Sequence, residues 1–186
     1  MIVSTTRVTA VVLALMAVTS PVHAQNPDAE RASSPAAASP SIEVTPFITM
    51  DSRGGLPFGA AVSFPLSSSF SVETEVGYRE GEGGVNALNA SANLIYDLPR
   101  IGRIAPYLAT GAGLAQYGLP IVARDGTIVA TESRIALEIN AGGGIKVPVR
   151  ESLDMRTDAR WFKSLGVNGT EHWRIAHGVS FDVGTR

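Results

Sequence analysis

The sequence predicts an all-β protein: an eight-stranded antiparallel up-and-down transmembrane β-barrel. Three observations predict it. From Ser41 onward, apolar and polar residues alternate with period two in eight segments, and no segment carries a helical stripe. Aromatic residues fall mainly in the apolar phase and near the segment ends. The opposite phase carries charges of both signs in near balance. Composition sets the frame. The chain has 186 residues, 45% hydrophobic and 17% charged, with 15 Lys and Arg against 17 Asp and Glu. That balance argues against a nucleic-acid binder, which needs a basic surface. The chain has no Cys, which excludes a disulfide framework, a Cys-based zinc site and a Cys nucleophile.

Residues 1–24 have the pattern of a secretory signal peptide. Arg7 precedes the apolar stretch Val8–Val18, which Thr19, Ser20 and Pro21 break. Val22-His23-Ala24 then offers small residues for cleavage before Gln25. The alternative, a membrane anchor, needs about 18 apolar residues, more than this stretch holds. No Cys follows the cleavage site, which excludes lipid anchoring there. Residues 25–40 (QNPDAERASSPAAASP) read as a disordered spacer rich in Ala, Ser and Pro. Pro27, Pro35 and Pro40 oppose a short Ala-rich helix.

The barrel domain is expected over 41–186, and its strands follow in order. Ile42–Met50 is the first. Pro57–Leu66 sets Phe58, Ala60, Val62, Phe64 and Leu66 on one side. Phe70–Arg79 alternates Phe70, Val72, Thr74, Val76 and Tyr78 with Ser71, Glu73, Glu75, Gly77 and Arg79. Val85–Asp97 sets Leu88, Ala90, Ala92, Leu94 and Tyr96 against Asn89, Ser91, Asn93 and Ile95. Ile104–Tyr117 is bracketed by Tyr107 and Tyr117. Arg134–Val147 is the clearest: Ile135, Leu137, Ile139, Ala141, Gly143, Ile145 and Val147 oppose a phase with Arg134, Glu138 and Lys146. Leu153–Lys163 and His172–Val183 repeat the pattern with Asp154, Arg156, Asp158 and Arg160, then Arg174 and Asp182, in the polar phase. Successive side chains on a strand point to opposite faces, so each strand has an apolar and a polar face.

Alternation alone does not say which face is inside. A soluble sandwich or lipocalin-type barrel buries the apolar phase; a membrane barrel turns it outward. The aromatics favour the second. Phe58, Phe64, Phe70, Tyr78, Tyr96, Tyr107, Tyr117, Trp161, Trp173 and Phe181 are expected to form girdles at the two membrane interfaces. Phe47 and Phe162 are exceptions in the polar phase. The charges agree, because buried charges must be paired. An interior network is expected from Glu73, Glu75, Arg79, Arg134, Glu138, Asp154, Arg156, Asp158, Arg160, Arg174 and Asp182, joined by Glu43 and Lys146. The links agree too. Pro65–Ser69, Leu98–Arg103 and Pro148–Ser152 are short; Gly118–Thr131 and Ser164–Glu171, on the other side, are longer.

Ala105–Gly118 (APYLATGAGLAQYG), Asn140–Val147 (NAGGGIKV), Leu153–Trp161 (LDMRTDARW) and Gly178-Val179-Ser180-Phe181 resemble the small outer-membrane β-barrel proteins. These are the porin-like, opacity-type and OmpA/OmpX-type barrels. The resemblance runs from about Ser41 to the end and is specific for fold rather than activity. It implies a place in the outer membrane of a Gram-negative cell, contact with outer-membrane lipid, and handling by the barrel-assembly machinery. Gly178, Phe181 and Val183 are similar to the assembly signal of the last strand. The chain departs from that pattern by continuing through Gly184-Thr185-Arg186 instead of ending on an aromatic, and by Ala176 where a larger polar residue is usual.

Some barrels of this kind modify lipid A, with a His-x-Ser arrangement in the deacylase type. Here His172 is followed two residues on by Arg174, and His177 by Val179; His23 leaves with the signal. No nucleophile–base pair follows from these spacings, so no catalytic residue is assigned. Asp154, Asp158 and Asp182 suit ion pairing with Arg156 and Arg160 better than a metal, and no cofactor is expected. The glycine clusters lack the helix and Lys of a phosphate loop. In Gly118–Thr131, Asp125-Gly126 lies between β-branched residues, a hairpin signal. Two readings stay open: strands five and six continue as a protruding hairpin whose edge takes an extracellular partner, or the segment is a capped surface loop. The expected function is a filled barrel with a structural or surface-interaction role, in envelope integrity or adhesion. The alternatives are a narrow channel, a lipid A-modifying enzyme and a soluble lipocalin-like carrier.

Overall fold

The computed structural model describes residues 41–54, 57–80, 86–166 and 169–183. The expected signal peptide (1–24) and spacer (25–40) lie outside the described residues, as do Val85 and the last three positions.

Period-two alternation becomes eight strands: β1 Ile42–Asp51, β2 Phe58–Pro65, β3 Phe70–Glu80, β4 Asn86–Asp97, β5 Ala105–Val122, β6 Ile128–Arg150, β7 Leu153–Ser164 and β8 Glu171–Val183. Each pairs antiparallel with the next, and β1 pairs with β8, so the sheet closes on itself. Closure leaves no open edge within the ring and satisfies the backbone strand to strand. Both termini of the barrel lie at one end, with the links between β2 and β3, β4 and β5, and β6 and β7. The other four links lie at the far end.

The barrel is inverted relative to a soluble domain. Ile48 and Phe58 are each 56% exposed on the outside, whereas Glu73 and Arg160 are 0% exposed inside. An apolar belt of this size, wrapped around buried charge, is stable only against another apolar medium. Eight strands leave a lumen just wide enough for side chains, and here polar side chains fill it.

Aromatic side chains border the belt. Phe58 and Tyr78 pair across β2 and β3 at the far end, with ring centroids 5.7 Å apart. Phe70 and Tyr96 pair across β3 and β4 at the terminal end, 4.9 Å apart. Trp161 opposes Trp173 on the far side, and Phe64 and Phe181 lie towards the terminal end.

Two expected girdle residues are not in the belt. Tyr107 and Tyr117 point into the barrel, Tyr107 being buried. β5 has no charge to mark its inner phase, so its polarity does not reveal its orientation. Size does: the inner phase is Tyr107, Ala109, Gly111, Gly113, Ala115 and Tyr117. Small residues there make room for side chains from the facing wall, and the tyrosine hydroxyls find buried partners. Gly144 on β6 makes room in turn, since a Cβ there would lie 2.5 Å from the Tyr107 hydroxyl and 2.4 Å from the Thr157 carbonyl oxygen.

β5 and β6 are longer than expected, at 18 and 23 residues against 8–13 for the others. β4 covers β5 only up to Gly118, and β7 covers β6 only up to Glu138. Beyond those points, apart from a bond from the Leu165 N–H to the Leu137 carbonyl at 2.7 Å, the two strands pair only with each other among the described residues, with a register shift between Ile121 and Val122. Of the two readings of Gly118–Thr131, the structure has the protruding hairpin. This overturns Arg134 as an interior charge. It keeps the inward phase, but it stands above the neighbouring strand, with its side chain 60% exposed and paired to Glu132 at 3.0 Å. Asp182 is likewise a rim residue: exposed at the terminal mouth, it accepts a hydrogen bond from the Ser41 hydroxyl at 3.1 Å.

Candidate functional site

The middle of the barrel is closed by six ionised side chains from three strands. β3 contributes Glu73 and Glu75, β7 Arg156, Asp158 and Arg160, and β8 Arg174. All face inward because each shares its strand's even or odd phase. Glu73 accepts from Arg156, from Arg160 Nη2 at 2.8 Å and from Ser63 at 3.0 Å. Asp158 accepts from Arg156 at 3.2 Å, Arg160 at 3.3 Å and the Tyr107 hydroxyl at 2.9 Å. Glu75 takes both terminal nitrogens of Arg174, one at 2.9 Å, and lies 3.5 Å from Arg160 Nη1. Three guanidinium groups thus meet three carboxylates with no formal surplus. Such a cluster survives burial only because each charge is paired and hydrogen-bonded.

Aromatic rings complete the layer. The Arg156 guanidinium lies 4.8 Å from the Tyr107 ring centroid, and its Nε donates to that hydroxyl at 2.7 Å. Arg174 lies between Phe47 and Phe162, at 5.3 and 4.8 Å. These two phenylalanines were the exceptions in the polar phase, and flanking a buried guanidinium is the reason. The Asn140 side-chain amide donates a hydrogen bond from Nδ2 to Asn93 Oδ1 at 2.9 Å across the wall. Sequence spacing gave no sign of that pair, because it depends on strand register.

Space within the layer and towards its far side is limited, whereas the terminal mouth opens into a cavity of about 510 Å³. The cavity within the layer, bordered by Thr45, Glu75, Asp158 and Arg174, is about 10 Å³, room for one water. Towards the far end, a cavity of about 30 Å³ is lined by Asp51, Arg53, Arg79, Tyr117, Glu138 and His172. There Arg53 donates to Asp51 from Nη2 at 2.8 Å, Tyr117 donates to Glu138 at 2.6 Å, and Ser164 donates to the same carboxylate at 2.9 Å. Arg79 is buried nearby. At the terminal mouth Lys146 donates to Glu43 at 2.5 Å, with Asp154 alongside. Neither of the two smaller cavities is the size of a hydrated ion's passage through the layer.

The hairpin is the second candidate feature. Ile121, Val122, Ile128, Val129 and Ile135 are exposed on it. Among the described residues, β6 from Ile128 to Ala136 has no strand on its free side, and the edge closes at Leu137, whose carbonyl accepts the Leu165 N–H at 2.7 Å. The turn is built by Ala123 and Thr127 backbone bonding, Gly126 at φ 85°, and Asp125. The Asp125 carboxylate accepts the Thr127 N–H at 3.0 Å, and that bond holds it below the usual carboxylate range.

The histidines separate. His172 is buried and stacks on Phe162 at 4.8 Å. His177 is on the outside, with Nδ1 3.0 Å from the Thr157 hydroxyl. This imidazole–hydroxyl pair spans two strands, so spacing within one strand did not reveal it. No carboxylate among the described residues bonds the ring's other nitrogen, so the pair lacks the third group that orients a catalytic base. Among the described residues no group of three or more His, Cys, Asp or Glu is placed to hold a metal. Gly178 faces inward on β8, while Phe181 and Val183 face outward towards the terminal end.

No protein-family model matches the chain, and no curated sequence does. Solved structures do. The N-terminal β-barrel domain of Pseudomonas aeruginosa OprF superposes with a TM-score of 0.59 at 19% identity, over 77% of this chain and 97% of that one. The fold is that of the small eight-stranded outer-membrane barrels. Neisserial surface protein A superposes with a TM-score of 0.58 at 12% identity, over 77% and 95% of the two chains. The outer-membrane enzyme PagL gives 0.52 at 14% identity, over 76% and 99%. One barrel scaffold therefore occurs in an enzyme as well as in a surface protein, and at these identities the likeness extends to the fold alone.

Proposed function

We propose that this chain is an outer-membrane protein whose barrel is a closed scaffold and whose β5–β6 hairpin is displayed at the cell surface for interaction. Residues 1–24 would direct export and be removed, and Gly178, Phe181 and Val183 would present the last strand to the assembly machinery. The observation that carries the reading is the combination of a neutral, ion-paired layer across the lumen with a hairpin that outruns its neighbours. The layer gives the barrel rigidity rather than a passage. The hairpin stands at the end opposite the termini, which is the extracellular end when short turns face the periplasm. Its β6 edge from Ile128 to Ala136 offers backbone groups that pair with no further strand among the described residues, flanked by β-branched side chains, the features an extended partner segment uses. A role in adhesion or envelope integrity follows from that display, without catalysis.

Deletion of Pro120–Ala130 tests the surface role. Cells carrying the deletion should keep the folded barrel and lose binding to host or neighbouring-cell surfaces. Unchanged binding would sink this part of the proposal. Mass spectrometry of lipid A with and without the protein should show no difference; an altered acylation pattern would instead make it an enzyme.

A further inference from the structure

We infer that the outward face of β7, β8 and β1 joins two copies of this barrel within the membrane, His177 bonding to the partner's His177. The inference rests on the membrane placement proposed above and goes beyond it. His177 lies on the outward phase of β8, four residues from Trp173 and four from Phe181. Those aromatics lie towards opposite ends of the belt, so the imidazole stands near mid-depth. Its neighbours across the ladder are Thr157 on β7 and Ile48 on β1.

A polar ring at that depth has no water to bond. Ionisable side chains in membrane spans ordinarily face an interior or a cavity and pair with one another or with backbone carbonyls, so an imidazole turned towards lipid calls for a polar partner there. The other outward threonines of the belt are satisfied within their own sheet. Thr110 donates to the Asn140 carbonyl at 3.1 Å, and Thr74 to the Val62 carbonyl at 3.5 Å. His177 bonds only Thr157 among the described residues, through Nδ1. Its Nε2 points away from that bond.

The occupant follows from symmetry and chemistry. A two-fold axis along the membrane normal keeps every residue at its own depth, so His177 meets the partner's His177. Two neutral imidazoles are self-complementary: one Nε2–H donates and the other Nε2 accepts. The Thr157 hydroxyl serves both tautomers. It donates to Nδ1 in the ring whose Nε2 carries hydrogen, and accepts from Nδ1–H in the other. A different partner would need its own polar group at this depth.

The surrounding surface suits close approach. Gly143 and Ala159 oppose each other across β6 and β7 just above Thr157, a low strip between taller apolar side chains. Small residues beside a polar pair are the usual makings of an intramembrane contact. The ladder between β1 and β8 also skips Thr45 and Pro46, and Pro46 has no N–H to give it. The opposite outward face, around Leu94, Leu108 and Leu114, carries no ionisable side chain at that depth.

The chain has no Cys, so a single introduced thiol reports proximity cleanly. Ile48→Cys places it beside His177, and Leu108→Cys places it on the opposite face. In the outer-membrane fraction of cells expressing the full chain, copper-phenanthroline oxidation should link Ile48→Cys into a dimer and leave Leu108→Cys monomeric. Sedimentation equilibrium of the detergent-solubilised protein should show a dimer whose dissociation constant rises about tenfold in His177→Leu, the loss of roughly one hydrogen bond. The heat-sensitive gel shift should persist in every variant. A monomer at all concentrations, equal cross-linking from both faces, a heavier adduct with another protein, or an unaffected His177→Leu variant would overturn the inference. Failure of the membrane placement would look different: the chain would be missing from the outer-membrane fraction altogether.

Discussion

Arg160 shows what burial demands of a single residue. Its guanidinium is fully enclosed and meets Glu73, Glu75 and Asp158. Arg160→Leu would leave three carboxylates with one cation fewer in a dry lumen, and should cost about 3–5 kcal/mol of stability. Arg124→Leu and Arg134→Leu, both in the exposed hairpin, should each leave stability nearly unchanged. Urea titration in lipid vesicles separates these outcomes, and equal effects would refute the inside–outside assignment. The two tyrosine environments give a second contrast. Tyr107→Phe removes the bonds to Asp158 and Arg156 and should cost about 1–3 kcal/mol. Tyr96→Phe, in the outer belt, should be near neutral by the same titration. At this scale the sequence was legible wherever charge marked a phase. Glu73, Arg156 and Arg174 announce their side through alternation. Tyr107 and Tyr117 do not, because β5 has no charge on either phase and the choice falls to steric fit against the other strands.

At the scale of the element, strand existence was readable and strand length was not. Alternation located all eight strands, but β5 and β6 run past the expected ends at Tyr117 and Arg134. Outside the belt both faces of a hairpin meet water, so the contrast between phases that signals a strand fades. Asp125-Gly126 still marked the turn. Deleting Pro120–Ala130 should leave the heat-sensitive gel shift intact, since among the described residues no other strand pairs with that segment. Gly144→Val, by contrast, should prevent the shift, because its first side-chain atom collides with the Thr157 carbonyl and the Tyr107 hydroxyl. The hairpin turn should also respond to acid. The Thr127 N–H favours the ionised Asp125, so its contribution holds above the ordinary carboxylate pKa and is lost as pH falls through the lower folded value. Side-chain NMR titration of Asp125 should give a midpoint below that of a free aspartate.

For the whole molecule, closure and charge neutrality act together. The eight-stranded ring is narrow enough for side chains from opposite walls to meet, and Glu73 on β3 reaches Arg156 and Arg160 on β7. The layer should therefore block ions. Planar-bilayer recording of the wild-type protein should show no stepwise conductance, whereas Glu73→Ala with Arg160→Ala removes one facing pair and should open a measurable pathway. Steps in the wild type would favour the narrow-channel alternative.

The sequence by itself determined the strand number, the alternation of faces and the near balance of the polar phase. It did so because a pleated strand displays each second residue on the same side, whatever its neighbours do. Tertiary structure alone decided which carboxylate meets which guanidinium, why Phe47 and Phe162 sit among charges, where β5 turns its tyrosines, and that Thr157 lies against His177. Those contacts depend on register between strands and on the curvature that brings β3 opposite β7. Neither is encoded within any single strand.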